Sequence, residues 1–214
     1  TAQDGSYAIG GLSSGKTYML QTFVNEGMDQ NSNVAGFTAA DSVNVNYTGS
    51  LITQNFILKA ATKTISGRML RANGQPVANG RVAIMRQDKP SFTSATTNAS
   101  GNYTAKVAGG KYEVRPDTFA EQGQAPPDFA YSGPGKNLSF AQSDAVESQA
   151  NVDFTVVTAS ATIKGSVSPN PGGFAGIGIF SKGGFGTGTG LQNGAFTVKV
   201  PPGTYEIDLG MDPS

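Results

Sequence analysis

Hydrolytic and transfer chemistry begins with a nucleophile and a group that moves its proton. The group used most often is absent here, because the 214 residues include no histidine. Serines are plentiful, but no imidazole can activate one and no local motif sets up a Ser–Lys pair, so no enzymatic activity is expected. Cysteine is absent too, which excludes disulfides, iron–sulfur clusters and thiolate zinc sites. Carboxylates remain as ion ligands. Asp4, Asp29 and Asp41 near the start, and Asp117, Glu121 and Asp128 in the middle, are the candidates for Ca2+ at loop ends. None has the dense Asp-x-Asp-x-Asp-Gly spacing that wraps an ion. They read as solubilising loop residues and Asx turns, and no cofactor is expected.

Binding chemistry has more to work with. Sugar-binding faces need exposed aromatic platforms, and the chain has no tryptophan. Most of its Tyr and Phe residues fall at in-pointing strand positions. Phe119, Phe129 and Tyr131 do not; they lie in a long polar stretch and are the candidate carbohydrate contacts. Asn46, Asn98, Asn102 and Asn137 head Asn-x-Ser/Thr acceptors and are candidate glycosylation sites in a glycosylating host. Residues 171–190 hold nine glycines with Phe174, Phe180 and Phe185. A phosphate-cradling loop would need a helix starting near Lys182, and no helix signal follows it. The stretch reads as a Gly-rich strand pair, or as a surface whose small residues admit another subunit's backbone or a sugar.

The elements that must position these residues come in repeats. Asn98-Ala99-Ser100-Gly101 makes a polar turn, after which Tyr103, Ala105 and Val107 alternate with polar residues, the period of a half-buried strand. Gly109-Gly110 turns the chain again, and Tyr112 and Val114 begin the partner strand. The same pattern recurs around Gly5, Tyr7 and Tyr18, and around Gly194, Phe196 and Tyr205. The spacing of the turn glycines is 96 residues and then 93, too long for a solenoid unit but matched to a sandwich of about 100 residues. The expected fold is therefore all-β: tandem seven-stranded Ig-like or prealbumin-like β-sandwiches with incomplete terminal copies. Residues 1–60 are the C-terminal part of a first repeat, 61–158 a complete second repeat, and 159–214 the N-terminal part of a third. In the second repeat, strands are expected at 63–70, 81–86, 92–97, 138–140 and 151–157, around the hairpin. The junctions at 59–63 and 158–161 are short and hold neither Gly nor Pro, which predicts a semi-rigid rod.

The second repeat carries, in order, Ile65-Ser66-Gly67, Asn73-Gly74-Gln75-Pro76-Val77, Val82-Ala83-Ile84, Ser100-Gly101-Asn102-Tyr103 and Gly110-Lys111-Tyr112-Glu113-Val114. This series resembles the carboxypeptidase regulatory-like domain, a relative of the transthyretin-like and collagen-adhesin B-type sandwiches. The third repeat keeps Ile163-Lys164-Gly165, Asn193-Gly194-Ala195-Phe196 and Pro202-Gly203-Thr204-Tyr205-Glu206-Ile207, and departs at 169–174. The resemblance implies non-catalytic spacers, stalks or adhesive modules of exported proteins. Adhesin-type relatives also carry a Lys–Asn isopeptide crosslink, with Lys on the first strand, Asn on the last and a buried acid between. Lys63 or Lys164 and Asn55 or Asn151 stand in those places, but the acid's position holds Thr22, Pro116 or Leu209. These lysines and asparagines are instead expected to be solvated and turn-capping.

Formal charge is zero with no basic stripe, which argues against nucleic acid, and no apolar run approaches membrane-spanning length. The combined reading is a non-catalytic structural or adhesive module array, extracellular or on the cell surface: a stalk, surface layer or filament component of a larger exported protein. Its expected partners are neighbouring copies of itself or other surface proteins. The alternative is a polysaccharide-binding accessory region of a secreted enzyme. The incomplete repeats are expected to expose apolar faces and open strand edges, completed by flanking parts of a longer chain or by a neighbouring subunit.

Overall fold

The computed structural model describes residues 2, 4–22, 37, 38, 40, 42–88, 92–120, 124–170 and 175–211. All regular structure among them is β. In the first repeat, β1 (Lys16–Leu20) pairs antiparallel with β3 (Val43–Tyr47), and the two-residue β2 (Phe37–Thr38) pairs with β4 (Lys59–Ala60).

The second repeat is a sandwich. It starts with β5 (Lys63–Arg71), β6 (Arg81–Arg86) and β7 (Phe92–Thr96) and continues through the hairpin β8 (Asn102–Val107) and β9 (Gly110–Pro116). The long polar stretch then contributes β10 (Phe119–Ala120), β11 (Phe129–Ala130), β12 (Lys136–Phe140) and β13 (Glu147–Gln149), and β14 (Phe154–Thr158) closes the repeat. One sheet runs β11-β14-β5-β13 with β8 also on β5, and the other runs β12-β9-β6-β7. The two short strands β11 and β13, both from the polar stretch, take these sheets beyond the seven strands that repeat length suggests. Alternation does the packing: Tyr103, Ala105 and Val107 on β8 and Tyr112 and Val114 on β9 point inward, as their period requires. They meet Ile65, Met69, Val82, Ile84, Phe129, Phe140, Val152, Phe154 and Val156 in one core. Each large apolar side chain buried there contributes about 1.5–3 kcal/mol.

The third repeat copies part of this plan. Its strands are β15 (Ala161–Ser166), β16 (Ala175–Ser181), β17 (Gly186–Gly190), β18 (Ala195–Val200) and β19 (Tyr205–Met211). β15 pairs with β18 as β5 pairs with β8, and the order β17-β16-β19 mirrors β7-β6-β9. A second core gathers Ile177, Ile179, Phe185, Leu191, Val198 and Val200 with Ala130 of the preceding repeat.

The organising turn has the same physical basis in all three copies. Gly5, Gly101 and Gly194 adopt φ of 84°, 76° and 77°, the left-handed region that glycine enters without a Cβ penalty. Asn98 caps its turn by accepting bonds from the backbone N–H of Ser100 and Asn102, both at 3.0 Å. Asp4 accepts from Ser6 N–H at 2.9 Å, and hydrogen bonds from Ser6 hold its carboxyl below the usual range. These are the Asx turns expected of such residues. The hairpin tyrosines repeat as well. Tyr112 donates to Ala108 O at 2.9 Å, Tyr205 to Pro201 O at 2.6 Å and Tyr18 to Ser13 O at 3.2 Å.

The closing strand differs from its expected limits. It begins at Phe154, three residues late, because Asn151 adopts φ 60° and swings the chain. Val152 then lies so close to β5 that a Cβ on Gly67 would stand 2.1 Å from Val152 O. The glycine is what admits this approach.

Candidate functional site

Two places concentrate polar groups in built positions: the seam between the first and last strands of the second repeat, and its junction with the third.

At the seam, β13 and then β14 run parallel to β5, with Glu147 opposite Lys63, Gln149 opposite Ile65, Phe154 opposite Met69 and Val156 opposite Arg71. Between the two short strands, Val152 N–H donates to Ser66 O at 3.1 Å. Tyr103 donates to Val152 O at 2.6 Å, and burial pushes its phenol well above the usual range. Lys63 is fully buried, contrary to the solvated lysine expected there. It shares the inward register of Ile65 and Met69, and its Nζ donates to Ala145 O and, at 2.7 Å, to Glu147 Oε1. A buried ammonium needs such partners, because its desolvation is costly. The Lys63 hydrogen bond in turn holds the Glu147 carboxyl below its ordinary value. Lys63 is therefore ion-paired to Glu147, and neither Asn151 nor Asn55, the asparagines the resemblance offers for a crosslink, is its hydrogen-bond partner. Asn151 is an exposed turn residue, Lys164 is exposed on β15, and Asn55 is exposed. Sequence reasoning missed Glu147. The signal for a buried Lys63 was present in the Lys63-x-Ile65 alternation; its partner, 84 residues away, had none.

At the junction, β10 leaves its own sandwich and pairs parallel with β17, Phe119 opposite Gly188 and Ala120 opposite Thr189. Thr118 donates to Gly186 O at 2.9 Å, and Thr187 donates back to Thr118 O. A Cβ on Gly188 would come within 3.1–3.2 Å of the Phe119 ring. Of the two readings of the glycine-rich stretch, the strand pair is what forms, as β16 and β17. Gly188 leaves room for the ring of Phe119 from the preceding repeat of the same chain, beside the β10–β17 pairing. Ala159 N–H donates to Asp128 O at 2.8 Å, which ties the short connection to the second repeat. A cleft of about 420 Å³ opens beside the junction, lined by Ser132, Ser181, Lys182, Thr204 and Tyr205 among others.

The candidate carbohydrate contacts do not form a platform. Phe129 is only 3 % exposed, because β11 carries it into the core, and this corrects the expectation that it lies on the surface. Tyr131 is half-buried, edge-on to Phe154 at 5.6 Å between ring centroids, with its hydroxyl donating to Pro134 O. Phe119 is exposed but leans on Gly188. The four candidate glycosylation residues, Asn46, Asn98, Asn102 and Asn137, are exposed.

The candidate calcium ligands have other partners. Asp117 accepts two bonds from Arg81 at 2.8 Å, Asp128 accepts from Arg71 at 2.8 Å, and Asp4 is spent on its turn. Asp29, Asp41 and Glu121 lie outside the described residues. Among the described residues, no group of three metal-ligating side chains comes together. Among the same residues, no helix is long and apolar enough to cross a membrane.

Residues 64–128 match the carboxypeptidase regulatory-like domain family. No curated protein matches the chain. Among solved structures, it is similar to the Bacillus anthracis TIE protein, at 14% identity and a TM-score of 0.38. That match covers 84% of this chain and 35% of the other, so the chain spans about a third of that protein's length. It is also similar to a streptococcal ancillary pilin, at 11% identity and a TM-score of 0.32, covering 92% of this chain and 67% of that one. A DUF3823 family protein from Bacteroides ovatus is similar at 11% identity and a TM-score of 0.31, covering 71% and 83%.

Proposed function

We infer that the chain is a non-catalytic structural array, a stalk or filament segment of a larger exported protein that acts outside the cell or on its surface. The observation that carries this reading is the junction. A flexible tether would leave Phe119, Thr118 and the edge of β17 to solvent. Here the second repeat spends a strand, two threonine hydroxyl bonds and an aromatic contact on fixing its neighbour. Holding one module against the next serves a spacer, and adds nothing to a lone ligand-binding domain. The absence of histidine and cysteine fits the same role.

Small-angle X-ray scattering on residues 1–214, with and without Phe119→Asp, tests it. The reading expects one fixed spacing between the second and third repeats in the wild type and a broadened distribution in the variant. Equal breadth in both would overturn it.

A further inference from the structure

The two repeats that flank the second one are joined to its first and last strands, so tension carried by the backbone enters at Lys63 and leaves at Thr158. These two strands lie side by side and parallel. In that geometry the two loaded ends sit at opposite ends of one seam. Tension then slides β14 along β5 and loads every bond across the seam together, whereas an antiparallel pair pulled from one end opens bond by bond. The seam is also pinned at both points of load. Lys63, the first residue of β5, is held by Glu147 and by Ala145 O. Thr158, the last residue of β14, accepts from Arg71 Nη1 at 3.4 Å, and the same guanidinium grips Asp128 at 2.8 Å. Between the pins lie the bonds Val152 N–H to Ser66 O, Ala72 N–H to Val156 O and Arg68 N–H to Asp153 Oδ1.

We propose that the second repeat is a tension-bearing clamp, in which the parallel β5–β13/β14 seam, pinned by Lys63–Glu147 at one end and Arg71–Thr158/Asp128 at the other, resists pulling along the chain. This rests on the structural reading above, but it is a mechanical property that can fail by itself.

The chain has no cysteine, so introduced cysteines give unique handles. Single-molecule force spectroscopy on the whole chain would compare two pairs. Ala60→Cys with Ser160→Cys pulls along the seam. Thr64→Cys with Lys106→Cys pulls on residues directly opposed across the antiparallel β5–β8 pair. The clamp expects the first geometry to rupture at several-fold higher force, releasing about 300 Å of chain, close to the extended length of the repeat. Equal or lower force along the seam would overturn it. Glu147→Gln and Arg71→Gln together, in the first geometry, should lower the rupture force and speed forced unfolding. If the pair lowers the urea midpoint but leaves the rupture force unchanged, the pins serve only equilibrium stability and their part of the proposal falls. A weak seam beside an intact junction in scattering would sink the clamp alone. A strong seam with a loose junction would sink the array reading alone.

Discussion

Tyr7 and Tyr103 occupy the same place in the first and second repeats and make the same bond. Each donates its hydroxyl at 2.6 Å to a backbone carbonyl two residues before a phenylalanine, Gln54 O before Phe56 and Val152 O before Phe154. Yet Tyr103 is 3 % exposed and Tyr7 41 %. The local chemistry is identical and the burial is opposite. The difference lies in what faces the ring. In the second repeat, β5 and β6 bring Ile65, Met69, Val82 and Ile84 over the hairpin. Among the described residues of the first repeat, no strand takes that role and nothing before Ala61 is buried; Leu51 and Ile57 stand 96 % and 85 % exposed. A turn and its hydrogen bond can therefore form without a core, while the hydrophobic stabilisation cannot.

Truncation should break the comparison most sharply. Tyr103→Ala should cost about 3–5 kcal/mol in urea unfolding of the second repeat, the range for an aromatic removed from a closed core. Tyr7→Ala should cost less than about 1 kcal/mol, as at an ordinary surface position. Similar losses would mean that the first repeat has a core after all.

Gly67 and Gly165 extend the comparison to the third repeat. A Cβ at Gly67 meets the backbone oxygen of Val152, whereas one at Gly165 meets the Phe196 ring at 2.6 Å. Gly67→Ala should cost about 1–3 kcal/mol, because the backbone of the closing strand has to move. Gly165→Ala should cost visibly less in the same unfolding assay, since a half-buried ring can turn aside.

The hydroxyl alone should matter less. Tyr103→Phe leaves a buried carbonyl without its donor and should cost about 1–2 kcal/mol, whereas Tyr7→Phe, with water at hand, should be close to neutral. Thermal unfolding of the two variants side by side measures this.

The smallest effect concerns pH. The Arg86 hydrogen bond holds the Asp88 carboxyl down from its ordinary value near 3.8 to about 2. A depressed folded value means that the contribution is fully present above about pH 4 and is lost as pH falls toward 2. Asp88→Asn should flatten the acid limb of the stability curve in that window, read by urea unfolding across about pH 2 to 5. An unaltered acid limb in Asp88→Asn would remove Asp88 from the account.

The β class, the repeat spacing and the inward register of Tyr103 and Tyr112 were legible in the sequence, because strand period and turn chemistry are set within a few residues. Lys63 was half legible: its register pointed inward, but a lysine is ordinarily solvated. Phe129 was misread, because a two-residue strand such as β11 leaves no period to follow. Three decisions belonged to tertiary structure alone. Glu147 meets Lys63 across 84 residues, Phe119 leaves its own repeat for the edge of β17, and the closing strand lies parallel to the first one, so that the ends of the second repeat load one seam. Each depends on which distant segments meet, and that is fixed when whole sheets bury their apolar faces against one another. Local periodicity can announce that such faces exist, but the choice among partners is made only by the packed whole.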